Sequence, residues 1–117
     1  RGVEFYTRWA WGKPEVLDEI RELGSVGSGH AGETETAMIM AIRPDLVQLD
    51  RLDADGEREG MKIAGIESYY RFDQRTKHGG VGDPRSATSE KGERLLDASA
   101  DEIAVQVKEI RALRPFG

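Results

Sequence analysis

Val3, Phe5, Thr7, Trp9 and Trp11 alternate with Glu4, Tyr6, Arg8 and Ala10. A period of two built from β-branched and aromatic residues predicts a strand. The period then lengthens. Pro14 suits a first helical turn, and Val16, Leu17, Ile20 and Leu23 fall on one face before Gly24 stops the run. Ser25 to Gly32 is glycine-rich and predicts a loop. Glu33 to Arg43 predicts a second helix, closed by Pro44, because the residue before a proline is driven out of the helical region.

Between Leu52 and Asp83 no strong period appears, apart from a short strand pattern at Met61-Lys62-Ile63-Ala64. Gly79-Gly80-Val81-Gly82-Asp83-Pro84 is a turn cluster. Leu96, Ala100, Ile103, Val107 and Ile110 then fall on one helical stripe, behind a Thr88-Ser89 cap region. There is no internal repeat. One good strand, three helices and a loop at 52–83 do not close a core. Structureless loops beyond about 15 residues are uncommon in compact domains, and a strand of the parallel type needs neighbours on both sides. The pattern predicts part of a larger α/β unit, completed by further sequence or another chain. Loop 52–83 would then be a substrate-pocket or subunit-contact segment.

The 117 residues suffice for one domain, and 38% hydrophobic residues allow a packed core. Seventeen basic against 22 acidic residues give a net charge of -5, which argues against nucleic acid or an anionic membrane as the main partner. With no cysteine, disulfides and thiolate chemistry drop out. No apolar run approaches the roughly 18 residues of a membrane span, and no signal peptide is visible, so a cytoplasmic protein is expected. A start at Arg1 rather than Met suggests a cut or processed N-terminus.

Candidate chemistry concentrates where the glycine-rich loop enters the second helix, at Gly29-His30-Ala31-Gly32-Glu33-Thr34-Glu35-Thr36. His30 can act as acid, base or metal ligand, and its small neighbours allow backbone or ligand to come close. It can equally be a loop histidine that caps a helix. Glu33 and Glu35 are ordinary first-turn carboxylates and project from different sides, so they do not share one site. Glu35 lies near the face of Ile39 and Ile42, whereas Glu33 is expected to be solvated. Gly27-Ser28-Gly29-His30-Ala31-Gly32 spells a dinucleotide-type glycine pattern, with Asp50 downstream. A helix rather than a strand precedes it, so that reading is rejected. His78 beside Gly79 and Gly80 is a weaker candidate. Arg71, Arg75 and Lys77 read as a modest basic surface. Two histidines and no cysteine leave no metal-ligand set by spacing.

His30-Ala31-Gly32-Glu33-Thr34-Glu35-Thr36, followed by Arg43-Pro44-Asp45-Leu46-Val47, resembles the His-(Gly/Ala)-Gly-x-x-Glu-Thr-Ser block of the creatininase (creatinine amidohydrolase) family. Gly82-Asp83-Pro84-Arg85-Ser86-Ala87-Thr88-Ser89-Glu90-Lys91-Gly92-Glu93 resembles that family's Gly-Asp-Pro…Ala-Thr…Glu-Lys-Gly segment before its last long helix. The resemblance implies a mostly parallel sheet in a three-layer α/β/α sandwich. Residues 1–117 would be the C-terminal portion of one such domain. It also implies a metal-dependent hydrolase of non-peptide C–N bonds (amide, cyclic amide or formamide), assembled as a homo-oligomer. The divalent ions, zinc or manganese, would be held by motifs of an N-terminal half, or a second chain, that this sequence does not contain.

Carried over by position, His30 would contact a small-molecule amide and assist proton transfer, while Glu35 would hold His30 or the loop backbone. Trp9 approximately matches a pocket-lining aromatic, and Gly29, Gly32 and Thr36 would border the substrate. Gly29 stands where creatininase proper carries Glu, and Ser25-Val26 stand where it carries an aromatic. Formamides or other small amides therefore fit as well as creatinine does. The competing expectation is a non-catalytic structural or regulatory half, or a proteolytic fragment lacking the metal site. A nucleotide-binding module ranks last.

Overall fold

The computed structural model describes residues 29–53 and 71–113, together with the exposed, helical Glu15, Asp18 and Glu19. The strand expected over Val3–Trp11, with Trp9, lies outside the described residues. So do nearly all of the helix after Pro14 and the strand pattern at 61–64. The described elements are α1 (Glu33–Ile42), two 3-10 turns (Pro44–Leu46 and Leu49–Arg51), α2 (Phe72–Arg75) and α3 (Ser89–Leu113).

Helix α1 ends as Pro44 requires. Arg43 leaves the helical region at φ -144° and ψ 70°, and its N–H donates to Ile39 O at 2.7 Å. Helix α3 starts on the expected cap: Thr88 Oγ1 accepts the Lys91 N–H at 3.2 Å. Glu90, in the same first turn, is held below the usual carboxylate range by its own backbone N–H and then by the Thr88 hydroxyl. The segment 52–83 is not wholly structureless, because it contains α2. Gln74 Oε1 accepts the Arg71 N–H at 3.1 Å, a third-position side chain capping the donor that precedes this short helix.

The helices α1 and α3 pack through small residues. A Cβ on Gly92 would stand 2.0 Å from Ala37 O and 2.9 Å from Ala41 Cβ, so the two backbones meet there. Ala37, Ala87 and Leu95 form the buried apolar cluster, with Met38 and Met40 packed against it. Ser89 Oγ donates to Met40 O at 3.2 Å and fixes the end of the contact. An exposed Gly→Ala change in a helix gains about 1 kcal/mol of propensity. Here steric overlap overrides that gain. Gly92→Ala is expected to destabilise by about 1–3 kcal/mol through overpacking, read as a lower urea midpoint. An unchanged or raised midpoint would show that the helices do not approach this closely.

The apolar stripe on α3 does not form the buried face. Gly92, Leu95 and Ser99 are buried, whereas Ala100, Ile103 and Val107 are exposed. Length explains this. At 1.5 Å per residue, the 10 residues of α1 cannot cover the 25 of α3. The far half of α3 therefore presents its apolar residues without cover from α1.

Candidate functional site

The loop that carries His30 is held by backbone contacts from sequence some fifty positions away. His30 O accepts the N–H groups of Val81 at 2.7 Å and Gly82 at 3.2 Å. A Cβ on Gly29 would meet Val81 C at 2.6 Å, and one on Gly82 would meet Gly32 Cα at 2.6 Å. Two glycines facing each other allow this approach. Gly32 N–H closes a turn onto Gly29 O at 2.9 Å, and Ala31 takes a left-handed φ of 56°. Ala31 departs from the usual restriction of that region to Gly, Asn or Asp, at a small steric cost.

Glu35 steadies this conformation. Its Oε2 accepts the Ala31 N–H at 2.7 Å, a third-position carboxylate capping a donor just outside the helix. The same oxygen lies 3.8 Å from His30 Nδ1, beyond hydrogen-bond distance. The imidazole is 60% exposed and rests edge-on against Phe72, with ring centroids 5.2 Å apart and an interplanar angle of 61°. The Arg75 guanidinium lies 5.6 Å over the Phe72 ring. The buried Thr76 ties the end of α2: its Oγ1 donates to Phe72 O at 3.0 Å and accepts the Gly79 N–H at 2.9 Å. Beside the loop, Ala31, Glu35, Thr36, Ile39, Leu46, Val47, Gln48, Arg51 and Leu52 line a cleft of about 440 Å³.

Beneath the loop lies a buried ion pair. Lys91 Nζ donates to Glu33 Oε1 at 2.7 Å and to Ser86 O at 2.6 Å, with side-chain exposures of 13% and 2% for Lys91 and Glu33. The expectation of a solvated Glu33 is therefore corrected. Local patterning shows a first-turn carboxylate, but its partner sits 58 positions along the chain. Nearby, Asp83 is almost covered and receives the Arg85 guanidinium at 2.7 Å and the Arg85 N–H at 3.0 Å. The guanidinium holds the Asp83 carboxyl below the usual range, with the backbone bond adding to it. This pair shapes the turn in which the Ala87 N–H reaches Pro84 O at 3.0 Å.

Of the residues singled out in the sequence, Gly29, His30 and Gly32 share one loop, Glu35 caps it from α1, and Thr36 borders the cleft with Glu35. His78 is exposed in a bend, and Arg71 pairs with Asp73 at 2.6 Å on the surface. Local sequence patterns do not predict Phe72, Thr76 and Lys91 at the site. The cap formed by Gln74 was the local signal for α2, and Lys91 was visible only as part of the second motif block. That block and the His30 block, far apart in sequence, form a single unit.

The sequence profile of the creatininase family (creatinine amidohydrolase) matches residues 2–107. The chain belongs to the creatininase family. It is 28% identical over 87 residues to the mycofactocin precursor peptide peptidase of Mycobacterium ulcerans (strain Agy99), covering 69% of this chain and 32% of the peptidase. Two solved structures are also similar, each at 25% identity. A creatininase in a Mn form has a TM-score of 0.63, covering 86% of this chain and 39% of its own. A creatininase variant of Zn–Zn type has a TM-score of 0.62, covering 83% and 38%. The chain thus spans about a third of the length of the curated relative and less than two fifths of the solved creatininases. These likenesses place the chain in an α/β fold, although the described residues contain helices and turns and no strand.

Among the described residues no group of three or more His, Asp or Glu side chains could hold a metal ion. His30 and Glu35 offer one imidazole and one carboxylate, and the nearer carboxylate oxygen is engaged by Ala31. These residues do not by themselves form a metal centre. No described helix is long and apolar enough to cross a membrane.

Proposed function

We propose that this chain supplies the substrate-side part of a metal-dependent amidohydrolase of the creatininase type, cleaving a C–N bond. The observation that carries this is His30, a titratable side chain left largely exposed on a loop whose backbone is fixed from three sides. A group held by its main chain and open at its side chain is suited to meet a substrate. There, His30 would hydrogen-bond the developing oxyanion or pass a proton to the leaving nitrogen. Glu35 contributes by holding the loop through the Ala31 N–H. The cleft beside Glu35 and Thr36 would take the rest of the substrate, with Trp9 as a further wall.

A divalent ion, zinc or manganese, is supported by the metal forms of the similar creatininases; its ligands would come from outside the described residues. The remaining α/β/α layers and the metal-binding part would come from an N-terminal half or second chain. The domain would then be residues 1–117 plus that part, working in the cytoplasm as a homo-oligomer. Ile42, Leu46 and Leu49 on one element group, and Val105, Val107 and Leu113 on α3, are large exposed apolar residues that such a partner would cover. The similar peptidase favours a second reading of the same site, in which the C–N bond is a peptide bond. An amide of a small molecule and a short peptide are therefore the two substrates to compare.

Native mass spectrometry of the protein purified without chelator tests the proposal. A larger assembly carrying divalent ions, which hydrolyses an amide or peptide and stops when the ions are stripped, is the expected result. A lone, metal-free 13.0 kDa species without hydrolysis would make the chain a non-catalytic half.

A further inference from the structure

We propose that Phe72 is a positioning residue for His30, fixing the plane in which the imidazole faces the substrate. His30 is anchored through its backbone, but its side chain is 60% exposed and would otherwise turn freely about its side-chain bonds. Glu35 does not restrain it by a hydrogen bond, because its Oε2 is 3.8 Å from Nδ1 and accepts the Ala31 N–H instead. Among the described residues the ring contact with Phe72 remains. Its 5.2 Å separation and 61° angle are those of an edge-to-face aromatic pair, which favours one relative orientation over a free swing.

The position of Phe72 is itself determined. The buried Thr76 bonds to Phe72 O and to the Gly79 N–H, and Val81 and Gly82 then bond to His30 O. The residues from 72 to 82 therefore form one strap, which attaches to the main chain of His30 and returns an aromatic ring to its side chain. Arg75, 5.6 Å over the Phe72 ring, adds a cation–π contact that holds the ring in turn. The catalytic consequence rests on the amidohydrolase proposal; the contact between the rings does not.

The chain contains only two histidines, so its imidazole proton signals can be assigned by substitution. In the 117-residue chain, His30 ring protons are expected to show contacts to the Phe72 ring and shifts caused by its ring current. Phe72→Leu should abolish both, and Phe72→Tyr should keep them. In the assembled, metal-loaded enzyme, Phe72→Leu should lower kcat about three- to tenfold, the scale of one lost aromatic contact. KM should stay within about twofold, and Phe72→Tyr should restore kcat.

Absence of His30–Phe72 contacts in the unsubstituted chain overturns the inference, and that measurement requires no variant to fold. So does an unchanged kcat in Phe72→Leu, or a raised KM at constant kcat, which would make Phe72 a plain binding wall. If the ring contact is present but the assembled protein hydrolyses no amide or peptide, the amidohydrolase proposal fails and the geometric role of Phe72 stands.

Discussion

Alanine at position 30 is expected to lower the turnover of the assembled enzyme by about a hundredfold or more, the usual scale of general acid–base catalysis. The fold should survive. His30 joins the loop through its carbonyl oxygen, which Val81 and Gly82 engage whatever side chain is present. The side chain is mostly exposed, so its removal forfeits little more than the contact with Phe72, about 0.5–1.5 kcal/mol. A large loss of kcat with a nearly unchanged urea midpoint therefore separates chemistry from structure. Near-normal turnover would remove His30 from the mechanism, and a collapsed midpoint would make it a structural residue. Glu35→Gln sharpens the comparison, because glutamine keeps an acceptor for the Ala31 N–H while losing the charge near the imidazole. Turnover within a few-fold of normal would identify Glu35 as the loop's cap; a loss as deep as that of His30→Ala would make its charge part of the chemistry.

The parts of this molecule that are legible in its sequence are those set by neighbours in the chain. Pro44 ends α1, and Thr88 begins α3, because both signals act within one turn. The meeting of His30, Gly29, Gly32 and Glu35 is legible for the same reason, since all lie within seven positions. What escapes local reading depends on distant partners. Glu33 looks like any exposed first-turn carboxylate until Lys91 arrives from α3. Phe72 lies in a stretch with no hydrophobic period, and only the strap through Thr76 and Val81 brings it to His30. The α3 stripe shows the converse. Its spacing correctly predicts a helix, but the period cannot say which part α1 is long enough to cover. Exposed Ile103 and Val107 are what such a stripe looks like when the described neighbour is short.

The second large effect is expected at the ion pair under the loop. Lys91→Met should cost about 3–5 kcal/mol, because it removes the ammonium that pairs with the buried Glu33 carboxylate. Against a total stability of about 5–15 kcal/mol for an ordinary domain, that is a large share, and at the low end it unfolds up to about half of the population. Glu33→Gln should also destabilise, by removing the charge opposite the ammonium, although the glutamine oxygen can still accept one of its bonds. Replacing both residues by methionine removes both charges together, and such exchanges are often close to neutral. Here the double variant still orphans Ser86 O, which Lys91 Nζ meets at 2.6 Å, so a residual cost of about 1–3 kcal/mol is expected. The double variant should thus be more stable than Lys91→Met alone, and urea unfolding of the unsubstituted protein, Lys91→Met, Glu33→Met and the double variant measures the coupling directly. If the single costs stay below about 1 kcal/mol and simply add, the pair is not the tie between the two motif blocks. If the coupling is large, Glu33 and Lys91 occur in their respective motifs because they join α1 to α3 directly beneath His30. The histidine can then stay exposed for chemistry because its support is buried.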